Sequence, residues 1–195
     1  MMRKFVMLLL VLLLILPITS FALPVLDQLS PLDSNDTKFY KGNGLTWEQS
    51  VTAGMGGLLS QIDIFFFTSE SVDFELFAGP PWQVDSPEFN SKFNPTGNAW
   101  NSIEVSSANF FVNVGDTFTL MLKGFDPNTP LFGGSAMPGL YPGGELWYNG
   151  YPLLAGGIYD MGFRTYVDPV PEPSTMLLLG SGLIGLWGAR KKFKK

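Results

Sequence analysis

The 195-residue chain contains neither histidine nor cysteine. That removes imidazole bases, thiolate nucleophiles, disulfides and the nitrogen- and sulfur-ligated metal sites, and with them most hydrolytic triads. Oxygen chemistry remains. Glu75, Glu88, Glu104 and Glu145 are the carboxylates from which a glycoside hydrolase would draw its acid and base, which must stand roughly 5–9 Å apart. Glu75 and Glu104 alternate with apolar neighbours, which places them on the wet side of strands. The expectation is a protein that is not itself an enzyme, with a carboxylate glycosidase as the distant alternative.

Oxygen ligands also cluster at Asp33-Ser34-Asn35-Asp36 and at Asp126-Pro127-Asn128-Thr129. Calcium takes 6–8 oxygens from loops of this composition, so Asp33, Asn35, Asp36, Asp126 and Asn128 are candidate ligands. Asx-turns account for the same residues, and neither segment has the glycine and glutamate of an EF-hand loop. No cofactor is expected; calcium is the ion left open. Gly42-Asn43-Gly44 and Gly54-Met55-Gly56-Gly57 lack the lysine and the strand-to-helix context of a phosphate cradle.

A third chemistry is stacking. Trp82, Trp100, Tyr141, Trp147, Tyr148 and Tyr151 offer flat apolar faces with polar edges, suited to sugar rings. Trp82, Tyr141, Trp147, Tyr148 and Tyr151 are the candidate ligand-binding residues. Trp100 and Trp147 stand beside strands and are equally explained as core.

The elements that would position these groups read as short strands. Ile62, Ile64 and Phe66 alternate with polar residues, as do Val72, Phe74 and Leu76. The same holds for Ile103 and Val105, for Phe118, Leu120 and Leu122, and for Phe163, Thr165 and Val167. Phe110, Val112 and Val114 continue the pattern, and Leu45, Trp47 and Val51 suggest one more strand. Gly 22 and Pro 15 supply turns, and no stretch of the body carries a helical stripe. These features predict an all-β antiparallel β-sandwich, jelly-roll-like, over 23–169. Long irregular loops are expected at 79–99 and 124–157. Arg164, between Asp160 and Asp168, is expected in a structural ion pair.

Both ends differ from this body. Met1-Met2-Arg3-Lys4 precedes an apolar run from Phe5 to Leu16, Pro17, and Ser20-Phe21-Ala22, the pattern of a secretory signal peptide over 1–22, cleaved after Ala22. At the other end, Pro171-Glu172-Pro173 is followed by an apolar segment over 174–189 and by Arg190-Lys191-Lys192-Phe193-Lys194-Lys195. Sixteen helical residues reach roughly 24 Å, a thin transmembrane helix, and the basic tail favours the cytoplasmic side. Seven of the 12 basic residues lie in these two ends, leaving five against 16 acidic residues over 23–170, so a formal charge of −5 conceals a body of −11. Such a surface keeps the domain soluble and repels nucleic acid.

The tripartite ending from Val170 onward resembles the PEP-CTERM sorting domain of Gram-negative bacteria, also labelled the ice-binding-protein C-terminal domain. Its matching parts are Val170 to Thr175, Met176 to Leu183 and Arg190 to Lys192. The resemblance implies export, membrane anchoring, and processing near Pro171-Glu172-Pro173 by an exosortase. It also implies association with the cell surface, extracellular polysaccharide and biofilm matrix. The chain would be a structural or binding component there, with a carbohydrate-binding module, calcium-assisted or not, as the alternative. Tyr141-Pro142-Gly143-Gly144, Asn149-Gly150 and Asp160 to Tyr166 further resemble secreted bacterial sandwich domains. Gly162 departs from that pattern, where a larger residue is expected.

Overall fold

A computed structural model of the chain describes residues 23–33, 37–40, 45–83, 85–123, 130–136, 141–153, 159–169 and 181–182. The expected signal peptide over 1–22, the residues Pro171-Glu172-Pro173, and the apolar run 174–189 save Ser181 and Gly182 lie outside the described residues. So does the loop holding Asp126 and Asn128. Residues Pro24–Val170 form a unit of their own. Among the described residues no helix is long and apolar enough to cross a membrane.

The period-2 runs become antiparallel strands because alternation gives each strand one face that gains by leaving water. In chain order these are β1 (Val25–Ser30), β2 (Thr37–Tyr40), β3 (Thr46–Thr52), β4 (Gly57–Phe66), β5 (Val72–Ala78), β6 (Phe89–Phe93) and β7 (Ala99–Glu104). They continue with β8 (Phe111–Val112), β9 (Thr117–Lys123), β10 (Pro130–Ser135), β11 (Leu146–Tyr148), β12 (Tyr151–Pro152), β13 (Asp160–Met161) and β14 (Phe163–Pro169).

Two sheets result. One runs β1-β14-β4-β10-β13, with β7 and β8 also on β4 and β2 on β10; the other runs β12-β11-β3-β9-β5-β6. Four pairings nest: β1 with β14, β3 with β9, β4 with β7, and β5 with β6. Each inner pair lies within the sequence interval of the next, as in a long hairpin rolled onto itself.

The inward faces meet in one core, giving a sandwich-like domain. Phe66, Phe132 and Phe163 from the first sheet and Phe74, Phe118 and Leu120 from the second are completely buried. Burying such a side chain stabilises by about 1.5–3 kcal/mol. The sheets touch through rings: Trp47 lies edge-on to Phe132 at 5.5 Å and Phe66 edge-on to Phe93 at 5.5 Å.

Several elements depart from the sequence expectation. β6, β10, β11 and β12 run through segments expected to be loops, and β1, β2 and β13 were not foreseen. β10 carries Pro130, Gly133 and Gly134, residues that read as turn, yet here small size is required: a Cβ on Gly134 would strike the Asp160 carbonyl. Gly162 sits against the same region, where a Cβ would meet Leu32 at 2.6 Å and the Gly133 carbonyl at 3.0 Å, which explains the absence of a larger residue. Val114 leaves the alternation of Phe110 and Val112 and is 71% exposed, because β8 stops at Val112 and a turn begins.

Candidate functional site

The outer face of the second sheet carries a pair of indoles, Trp82 and Trp147. Alternation turns Trp47 and Val51 of β3 inward and leaves Glu48, Ser50 and Thr52 facing out. Register then places Trp147 beside Glu48, and Glu48 beside Met121. The 3-10 turn Pro81–Gln83 follows β5 and brings Trp82 onto Trp147, with ring centroids 5.0 Å apart and planes inclined by 37°. Trp82 remains 61% exposed. The buried Trp147 Nε1 has no hydrogen-bond partner among the described residues.

Beside this pair lies a groove of about 360 Å³ lined by Ser50, Thr52, Pro80, Trp82, Thr117, Pro142, Gly143, Gly144 and Glu145. Its far wall is held by backbone geometry. Ser50 N–H donates to the Glu145 carbonyl at 3.0 Å, and Glu145 N–H donates to Ser50 Oγ at 2.8 Å. A Cβ on Gly144 would collide with the Ser50 carbonyl, so only glycine lets this segment lie so close to β3. Tyr141 anchors the wall from inside: its hydroxyl accepts from Thr52 N–H at 3.0 Å, and its ring packs edge-on to Phe163 at 4.9 Å. Burial pushes the Tyr141 phenol well above its usual range. The groove thus offers one exposed indole, three hydroxyls and one carboxylate, with no cation among its lining residues.

The aromatic residues singled out by sequence separate into three groups. Trp82 and Trp147 meet at the groove. Tyr141 is buried, and Tyr148 turns inward with its ring 4.4 Å from Trp47. Tyr151 faces solvent on the Asn149-Gly150 hairpin, whose two positive-φ residues suit the tight turn. Neither Trp100 nor Trp147 fills the core, because each occupies an outward register position. Of the four carboxylates, Glu145 lines the groove. Glu75 pairs with Lys123 Nζ at 2.7 Å on the second sheet, while Glu104 sits on the first sheet beside Gln61.

A polar cluster on the outer face of the first sheet was not foreseen as a unit. Asp63 is buried and accepts from Gln61 Nε2 at 2.7 Å, Ser102 Oγ at 2.8 Å and the Tyr166 hydroxyl at 3.1 Å. Arg164 stands 3.8 Å from Asp63 and lies 4.1 Å over the Trp100 ring. The ion pair expected for Arg164 therefore forms across the sheet, with a residue 101 positions earlier. The cue present in the sequence was the outward phase of Gln61, Asp63, Arg164 and Tyr166.

Asp33 is buried in a turn, accepting from Thr37 N–H at 3.0 Å, Thr37 Oγ1 at 2.5 Å and Ala136 N–H at 3.0 Å. Asn35, Asp36, Asp126 and Asn128 lie outside the described residues. Among the described residues no group of three or more acidic side chains is placed to hold a metal ion.

The chain leaves this domain at the C-terminal end of β14, where Pro169 still pairs with Gly57. Residues 169–192 match the PEP-CTERM protein-sorting motif. The PEP-CTERM motif supports an exported protein sorted by an exosortase, with membrane-anchored processing in bacteria. Pro171, Glu172 and Pro173 fall inside the matched stretch, beyond the described residues. No curated protein matches the chain.

Proposed function

We propose that this protein is an exosortase substrate of a Gram-negative bacterium, held by residues 174–189 until processing and then displayed at the cell surface or in the extracellular matrix. Its two-sheet domain serves there as a structural or binding component, not as an enzyme. The observation that carries the reading is the PEP-CTERM match at 169–192, which begins at Pro169, the last paired residue of β14. Prolines flank Glu172, and proline disfavours helix at its own position and at the one before it, a composition suited to a processing site. The nested pairings of β1 with β14 and β3 with β9 support a jelly-roll description of the domain. Intact mass of surface-released protein tests the processing: a species retaining the tail through Lys195 refutes removal of the anchor.

A carbohydrate-binding role is the second reading, favoured by the exposed Trp82 indole beside the hydroxyl-lined groove. A sugar ring would stack on the indole, and its hydroxyls would meet Ser50, Thr52, Thr117 and Glu145. The acidic body favours neutral over acidic glycans. Glycan arrays with and without EDTA test this and the calcium dependence together; absence of binding in both conditions removes the carbohydrate reading.

A further inference from the structure

Exposed apolar side chains gather at the end of the domain from which the sorting motif departs. Pro169 pairs with Gly57 and Gly57 with Val112; Asp168 pairs with Leu58 and Leu58 with Phe111. Two strand spacings, about 10 Å, therefore separate Phe111 from the final residues of β14. On the other side, Val25 pairs with Val167. Phe111 is 60% exposed and Val25 42%.

Val114 is displayed more deliberately. It stands at the corner of a turn in which Asp116 N–H donates to the Asn113 carbonyl at 3.0 Å and Gly115 takes a φ of +90°. Gly115 N–H reaches the Ala53 carbonyl at 2.8 Å, and Ala53 N–H reaches the Asp116 carbonyl at 2.8 Å. The turn is clamped from both sides, so covering Val114 costs little ordering entropy. Of the acids nearby, Asp27 and Asp116 each commit one oxygen to backbone donors, whereas Asp168 Oδ1 on β14 is buried with no hydrogen-bond partner among the described residues. Asp27 Oδ1 accepts from Gly54 and Met55 N–H at 3.0 and 2.6 Å, and Asp116 Oδ2 accepts from Asn113 N–H at 2.7 Å.

Chain length limits the surfaces that could cover this end. From Pro169 to Ser174, where the apolar run begins, the backbone spans at most about 18 Å. With 174–189 held in a bilayer, chain length alone limits this end of the domain to within about 18 Å of where that run begins. Phe111, Val114, Val25 and the neighbouring Leu26, 46% exposed, are also too few for a stable dimer, which needs roughly 800 Å² from each partner.

We propose that the Pro169 end is a lipid-docking surface, with Phe111, Val114 and Val25 resting in the headgroup region before processing. This rests on the membrane retention proposed above. Docking would hold the short Val170–Pro173 segment at a constant height over the bilayer and leave the opposite end of the domain, about 30 Å away along the ten residues of β4, in water.

The absence of native cysteine makes the test direct. Full-length chain carrying Val114→Cys or, at the far end, Ser69→Cys is labelled with an environment-sensitive fluorophore. It is then reconstituted into zwitterionic phosphatidylcholine vesicles containing nitroxide lipid. Phe111→Cys serves as a second near-end probe should Val114→Cys fail to fold. Docking predicts flotation with the vesicles, several-fold stronger lipid quenching at 114 than at 69, and loss of that excess in a Phe111→Ser background. Flotation with equal quenching at both positions overturns docking while leaving membrane retention standing. Failure to float overturns retention and docking together. Shielding of position 114 that grows with protein-to-lipid ratio, without lipid quenching, assigns the surface to a second copy and overturns the proposal.

Discussion

Asp160 is a buried carboxylate with an unequal set of partners. Gln49 Nε2 donates to its Oδ1 at 3.2 Å, whereas Oδ2 has no partner among the described residues. Burial raises its pKa from 3.8 to about 6, against the lowering effect of Gln49 and the Tyr141 backbone, and with a further push from the Glu145 charge. The fold therefore prefers the neutral acid. The associated stability is present in full below the unfolded value of 3.8 and is lost as pH rises through about 6. At about 1.4 kcal/mol per pH unit, the ionised group costs about 3 kcal/mol at pH 8. Asp160→Asn keeps an acceptor for Gln49 and cannot ionise, but leaves a buried amide donor that costs about 1 kcal/mol. The expected result is a variant about 2 kcal/mol more stable than the parent at pH 8, and within about 1 kcal/mol of it at pH 4. Urea unfolding followed by tryptophan fluorescence from pH 4 to 8 measures the difference, in which titrating groups not coupled to Asp160 cancel. A difference independent of pH refutes the reasoning.

Three further outcomes are expected from the packing. Trp82→Ala should leave the unfolding midpoint nearly unchanged, since the ring is mostly exposed, but abolish any glycan retention in affinity electrophoresis. Gly144→Ala should destabilise by at least about 1–3 kcal/mol, because the new Cβ meets the rigid Ser50 carbonyl; thermal unfolding reads this directly. Asp63→Ala strips the acceptor from Gln61, Ser102 and Tyr166, and chemical denaturation should show a loss of about 1–3 kcal/mol. Asp63→Asn, which keeps an acceptor oxygen, should lose less than Asp63→Ala in the same assay.

Much of the architecture was legible because alternation is a local property. Ile62, Ile64 and Phe66 face the core for the same reason that they recur every second residue, and likewise Phe118, Leu120 and Leu122. β10 was not legible: Pro130, Gly133 and Gly134 carry turn chemistry, and only the approach of β13 reveals why small residues are needed there. The candidate groove was half legible. Trp82 and Trp147 stood out by type, but the sequence could not distinguish them from Tyr141, because exposure is decided by which strand lies opposite.

Two kinds of information are divided cleanly here. The sorting address is linear: prolines, an apolar run and a basic tail act through the order of residues along the chain, so the sequence alone determined the PEP-CTERM motif at 169–192. The two-layer alternation was likewise written residue by residue. Tertiary structure alone decided that Trp82 covers Trp147, that Arg164 finds Asp63, and that one oxygen of Asp160 is left without a partner among the described residues. Each of these depends on sheet register between segments far apart in the chain, which no local pattern encodes.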